Sequence, residues 1–92
     1  MTQFMVIERF KNRNARAIYE RFREHGRMQP EGLRYVSSWI ETNFDRCFQV
    51  MECENPSLIE QWATHWSDLM DFEIVPVMTS AEASSKALSS PP

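Results

Sequence analysis

The sequence predicts an α+β domain with four strands in one antiparallel sheet and two helices on one of its faces. Three observations carry that reading. Four runs rich in β-branched and aromatic residues occur along the chain. Two segments between them place apolar residues at helical spacing, and the connections are short. The element order is therefore βαββαβ.

The first strand is Gln3–Phe10, QFMVIERF. Phe4, Val6 and Phe10 alternate with Met5 and Ile7, so both faces are apolar over most of its length, as in a central strand covered on both sides. Lys11–Asn14 is a polar break, and Asn14 suits a helix N-cap. Over Ala15–His25, Ala15, Ile18, Tyr19 and Phe22 form one face of a helix, with Arg16, Glu20, Arg23 and Arg27 on the other side. Glu20 can pair with Arg16 or Arg23, and Glu24 with Arg27. Gly26 is the expected left-handed terminator, and the Pro and Gly of Met28–Gly32 mark a turn.

Leu33–Cys53 reads as a hairpin with a polar turn at Asn43–Phe44. A two-residue turn pairs Thr42 with Asp45. It then puts Ile40 by Cys47, Ser38 by Gln49 and Val36 by Met51 on one face, and Trp39 by Phe48, Ser37 by Val50 and Tyr35 by Glu52 on the other. Phe44 fits such a tight turn poorly, and a longer loop would slip this pairing by one residue.

Asn55-Pro56 starts a second helix. Its apolar stripe of Ile59, Trp62, Ala63, Trp66, Leu69 and Met70 runs to about residue 70. The last strand, Phe72–Met78, is again apolar on both faces. Pro76 removes one ladder donor there, which favours an edge, a bulge or a strand end. Residues 1–79 thus form the domain, and 80–92 a short helix at most (Ser80 capping Ala81–Leu88) or a mobile tail.

This order is the split βαβ pattern of the ferredoxin-like fold, with strands one and three at the sheet centre. Two helices cover only one sheet face, yet strands one and four are apolar on both. The open apolar face predicts a homodimer whose sheets pack face to face as a dimeric α/β barrel. Size points the same way, because a chain of 92 residues buries only about 60–65% of its unfolded surface.

A net charge of −3 argues against nucleic acid and anionic membranes as partners. The charge is uneven. Residues 1–34 hold eight Arg/Lys and four Asp/Glu (+4), and residues 35–92 hold two and nine (−7). Two solvated helices of opposite charge account for this more simply than a partner surface. Cys47 and Cys53 lie six apart on one predicted strand, hence on one face about 20 Å apart. That is too far for a disulfide, and it fits reduced thiols. No apolar run reaches the roughly 18 residues of a membrane span, and Met1-Thr-Gln-Phe lacks the basic start of a signal peptide. The expected compartment is cytoplasmic.

The segments MVIERFKN, YERFREHGRM-PEGL-Y-SSW, DRCFQVMECENP and WATHWSDLMDFEIVPVMTSAEA closely resemble a bacterial family, domain of unknown function 3303. The likeness covers nearly all of the chain except the last ten residues. It implies a dimeric α/β-barrel domain similar to the antibiotic-biosynthesis monooxygenases and stress-responsive barrel proteins. Some members of that wider superfamily bind haem or oxidise polyketides in a pocket between sheet and helices. The family has no established activity, and no catalytic motif of the superfamily carries over to residues here.

Each candidate for chemistry competes with a plainer reading. His25 and His65 lack metal-ligand spacing with each other or with the cysteines, so no metal site and no cofactor are expected. Glu8 and Glu52 sit on the central strands amid apolar neighbours, where a carboxyl can be held neutral and serve as acid or base. The commoner alternative is a rim position or an ion pair with Arg34 or Arg9. If Glu52 shares a face with Tyr35 and Trp39, it anchors a pocket. Ser38, Gln49 and Cys47 cluster on the opposite hairpin face without a nucleophile signature. Trp39, Trp62 and Trp66 could stack a planar ligand, although such stripes more often fill a core. Arg13, Arg16, Arg23 and Arg27 make a basic helix face, but Glu20 and Glu24 interrupt it as a nucleic-acid stripe.

The candidate pocket is therefore Tyr35, Trp39, Glu52, Glu8 and Gln49. The leading expectation is a homodimeric small-ligand-binding or structural domain. The alternatives are a cofactor-free oxygenase or isomerase acting on an aromatic or polyketide-like substrate, and a partner-binding adaptor.

Overall fold

In the computed structural model, residues 1–89 are described. β1 (Thr2–Phe10) passes through a 3₁₀ turn at Lys11–Arg13 into α1 (Ala15–His25). β2 (Arg34–Ile40) and β3 (Arg46–Cys53) form a hairpin, followed by α2 (Ser57–Ala63), β4 (Met70–Val77) and α3 (Ser80–Ser89). The strands make one antiparallel sheet in the order β2-β3-β1-β4. The fold is α+β and consistent with a ferredoxin-like architecture.

Strand periodicity sorts the two sheet faces. Phe4, Val6, Glu8 and Phe10 of β1 are all buried, whereas Met5 and Ile7 between them are half-buried. On β3, Gln49, Met51 and Cys53 are buried, and Phe48, Val50 and Glu52 are half-buried. The buried set joins Ile18 of α1, Leu33, Ile59 and Trp62 of α2, and Trp66 in one core. The helices therefore cover one face, and the odd-numbered residues of β1 belong to the other.

α1 runs over the residues its periodicity predicts. The Asn14 side chain accepts from the Ala17 amide at 3.2 Å. At the far end Gly26 takes φ +67° and donates to the Phe22 carbonyl at 2.7 Å. Glycine carries no Cβ penalty at that angle. Arg21 forks onto both oxygens of Asp68 at 2.7 Å and also donates to the His65 carbonyl, tying α1 to the turns before β4.

The hairpin register is as predicted from Ser37 to Ile40. Ile40 lies opposite Cys47, Trp39 opposite Phe48, Ser38 opposite Gln49 and Ser37 opposite Val50. The connection is not a two-residue turn, however. Thr42–Asp45 form a longer loop with Phe44 at φ +61°, and the Glu41 amide donates to the Arg46 carbonyl at 2.8 Å. Further along, a β-bulge falls between Tyr35 and Ser37, so Tyr35 pairs with Met51 and Arg34 with Glu52. The predicted pairs Val36–Met51 and Tyr35–Glu52 are therefore corrected. One extra residue, Val36, turns the strand so that Tyr35 joins the helix-covered face.

The second helix is shorter than its apolar stripe. α2 ends at Ala63, and successive turns with three-residue hydrogen bonds carry the chain to Met70. The Thr64 hydroxyl donates to the Gln61 carbonyl at 2.6 Å, a local bond that competes with helix continuation. Trp62, Trp66 and Met70 are buried all the same. β4 begins at Met70 rather than Phe72 and is an edge strand, which accommodates Pro76.

α3 is a helix without a buried residue. Its cap is Thr79 rather than Ser80: the Thr79 hydroxyl accepts from the Glu82 amide and donates to the Glu82 carboxylate, both at 3.1 Å. The last positions of the predicted tail, 90–92, lie outside the described residues.

Candidate functional site

Two rows of inward side chains cross the middle of the sheet. Glu8 on β1 faces Cys47 on β3, which faces Ile40 on β2. The next row is Val6, Gln49 and Ser38. Tyr35, brought inward by the bulge, donates to or accepts from the Ser38 hydroxyl at 2.8 Å. The alternation of β1 and β3 thus aims a carboxyl, a thiol and an amide at the space beneath the helices.

A cavity of about 180 Å³ occupies that space. Glu8, Ser38, Cys47 and Gln49 form its sheet side, while Tyr19 and Phe22 of α1 and the two indoles of Trp62 and Trp66 close it from above. Tyr19 and Phe22 are both partly exposed, so the cavity meets solvent along α1. An apolar cavity of about 150 Å³ is enough to hold one benzene ring. This one is comparable in size but polar along one wall.

Glu8 is 5% exposed. Burial pushes its carboxyl up from 4.5 to about 7, against the pull of a hydrogen bond from the Cys47 thiol and the nearby Arg27 charge. Burial and the neighbouring Glu8 push the Cys47 thiol up to about 12. A thiol so held is neutral and a poor nucleophile. The Tyr19 hydroxyl is raised as well, mainly by burial. Gln49 is buried, and its amide donates to the Met51 sulfur at 3.2 Å, a weak acceptor.

Arg27 completes the site. Gly26 ends the helix one residue earlier, so Arg27 leaves the basic face on which helical periodicity puts it. Its carbonyl accepts from the indole of Trp62 at 2.8 Å and from that of Trp66 at 3.1 Å. Its guanidinium lies 3.5 Å from the Tyr35 ring centre and 5.1 Å from that of Phe22. Among the described residues no carboxylate sits within ion-pair distance of it, and its guanidinium donates no hydrogen bond. The predicted pairing with Glu24 does not form; Glu24 lies instead 3.9 Å from His25.

The five predicted pocket residues divide between the two sheet faces. Glu8, Gln49 and Tyr35 lie on the inner face, the first two in the cavity wall and the third through Ser38 and Arg27. Trp39 and Glu52 lie on the outer face, so Glu52 does not share a face with Tyr35. Glu52 takes the plainer alternative, with Arg34 at 3.2 Å and the Gln3 amide at 3.4 Å. Trp39 is 60% exposed. Of the cavity lining the predicted set holds only Glu8 and Gln49; Arg27, Ser38, Cys47 and the aromatic wall are not in it. A residue just past a terminating glycine is no longer bound to the helix face, and that is the signal for Arg27.

The remaining charges are mostly engaged. Arg16 bonds Glu20 at 2.9 Å and Arg13 lies 3.9 Å from Asp45, so the basic face of α1 is interrupted. Hydrogen bonding from Arg21 holds the Asp68 carboxyl down to about 2. Among the described residues no three His, Cys, Asp or Glu side chains converge to hold a metal, and no helix is long and apolar enough to cross a membrane.

Neither a curated protein nor a solved structure matches the chain significantly. One family model does match, over residues 2–89, which includes both sheet faces, the cavity and α3. The chain belongs to that family, described as a domain of unknown function (3303).

Proposed function

We propose that the domain binds a small, largely apolar molecule in the cavity between sheet and helices, and works as a homodimer joined through the open sheet face. One observation carries the first part. A buried carboxyl and a buried amide, Glu8 and Gln49, converge on a mostly apolar cavity of about 180 Å³. A cavity lined by apolar walls and a few convergent polar groups is the usual form of a ligand site. A fragment screen read by thermal shift tests it, because a bound ligand raises the melting temperature by mass action. Ser38→Leu fills the cavity wall and is expected to abolish the shifts while leaving the fold intact. Fragments that stabilise both proteins equally would place binding elsewhere.

Support for the dimer comes from the outer face. Met5, Ile7, Phe48 and Val50 are only half-buried at the sheet centre, and Val36, Trp39 and Val75 are exposed around them. A contiguous apolar patch of this kind usually marks an association surface. The expected mass by light scattering is twice 10.9 kDa. A stable monomer at micromolar concentration contradicts this part alone.

A second reading has a specific observation behind it. Glu8, held at about 7 in an apolar wall, is poised to take a proton from a bound carbon acid and return it. That is the proton chemistry of an isomerase, and the first step of a cofactor-free oxygenase. Solvent-deuterium exchange into a bound carbon acid tests it: wild type is expected to catalyse the exchange, and Glu8→Gln is not.

A further inference from the structure

The polar side of the cavity presents donors and one uncompensated cation. Arg27 sets its guanidinium carbon over the Tyr35 ring, 3.5 Å from the ring centre, and an arginine in such a contact keeps N–H donors for a further partner. Among the described residues those N–H groups meet neither a carboxylate nor a carbonyl. Gln49 offers the second sign, a buried amide donating to a thioether where an oxygen would bond it better. Both groups wait for an acceptor, and the space between them fits one ring.

We propose that the cavity selects a single-ring monoanion, its anionic oxygens held by the Arg27 guanidinium and by the Glu8 and Gln49 side chains, its ring against Trp62, Trp66 and Phe22. This deepens the cavity-binding reading and rests on it. Charge balance supports the class. The groups facing Glu8 that carry or could carry charge are Cys47 from β3, Tyr19 from α1 and Arg27 from the loop. Met70 of β4 and Trp62 of α2, which also line the cavity, present side chains that do not titrate. With Cys47 and Tyr19 neutral, the cavity is positive while Glu8 keeps its proton and neutral once Glu8 ionises. A monoanion therefore binds the protonated site, donating Glu8 included, and is repelled by the ionised one. Affinity falls as pH rises through about 7, by at most tenfold per unit.

The test is calorimetric titration of the full chain with benzoate and with benzamide, which share ring and shape but differ in charge. At about pH 6 benzoate is expected to bind at least about tenfold tighter than benzamide, and at about pH 8 that preference shrinks, as differential charge recognition requires. Glu8→Gln keeps the preference and flattens its pH dependence. Arg27→Met removes the preference, with a melting curve to show that the protein is still folded. If benzamide binds wild type as tightly as benzoate, or Arg27→Met keeps the preference, the anion class is overturned and the cavity reading stands. If neither compound binds at about 10 mM, a level at which binding is worth under about 3 kcal/mol, the anion class is overturned, and only a fragment screen that also finds nothing brings down the cavity reading.

Discussion

The two faces of the sheet are built from the same four strands, yet they carry different chemistry. The helix-covered face holds Glu8 and Gln49 in a largely aromatic surround with a space left over. The outer face closes several of its polar groups on themselves, Arg34 on Glu52 and Arg46 on Glu41, and carries Met5, Ile7, Phe48 and Trp39 beside them. Weakly partnered polar groups lie inside, and apolar groups open to solvent lie outside. Each face is thus incomplete in the way the other is satisfied, which suits a ligand on one and a second copy on the other.

Substitutions separate the two faces, and the largest effect belongs to the inner one. Trp62→Ala removes a buried ring, its edge-on contact with Phe72 and its bond to the Arg27 carbonyl. The expected loss is about 3–5 kcal/mol, measured by chemical denaturation. On the outer face, Phe48→Glu would place one charge from each copy in the proposed interface. Dimer affinity is expected to fall about a hundredfold or more, seen as a monomer by light scattering, while the cavity and its ligands are unaffected.

Glu8 gives a smaller effect with a defined sign. Its folded value of about 7 exceeds the unfolded 4.5. Below pH 4.5 both states hold the proton and no cost arises. Between 4.5 and about 7 the unfolded chain loses the proton while the folded chain keeps it, so stability falls with rising pH, and the loss is complete above about 7. The size of that loss is on the order of 3 kcal/mol. Glu8→Gln is therefore expected to stabilise the protein by up to that amount at alkaline pH and to change nothing at about pH 4.

The smallest effect lies outside both faces. Thr79→Ala removes the cap of α3 and costs that helix about 1 kcal/mol. Because α3 buries no residue, circular dichroism should show slightly less helix and no change in the global melting temperature.

Much of this arrangement is legible in the sequence. The alternation of β1, the capped α1 and the edge position implied by Pro76 each rest on one local cause, and the structure has all three. Glu8 and Gln49 are legible as candidate pocket residues, but with β1 apolar on both faces alternation does not say which face turns inward. Where two causes compete, the sequence is mute. The bulge at Val36 carries no glycine to announce it; its trace is that Leu33 and Ile40, both apolar, stand an odd number of residues apart. Strict alternation cannot turn both inward, and the bulge that reconciles them moves Tyr35 away from Trp39 and Glu52. Arg27 is hidden differently. Its place depends on two indoles 35 and 39 residues further on that bond its carbonyl.

The three tryptophan indoles provide the most direct test, since Trp62 and Trp66 lie on the inner face and Trp39 on the outer. In a nitrogen–proton correlation spectrum, adding a cavity ligand should shift the Trp62 and Trp66 indole signals and leave that of Trp39 in place. If two copies join through the outer face as proposed, dilution should move Trp39 alone. A ligand that shifts Trp39 and leaves the other two unmoved would contradict the division of labour between the two faces.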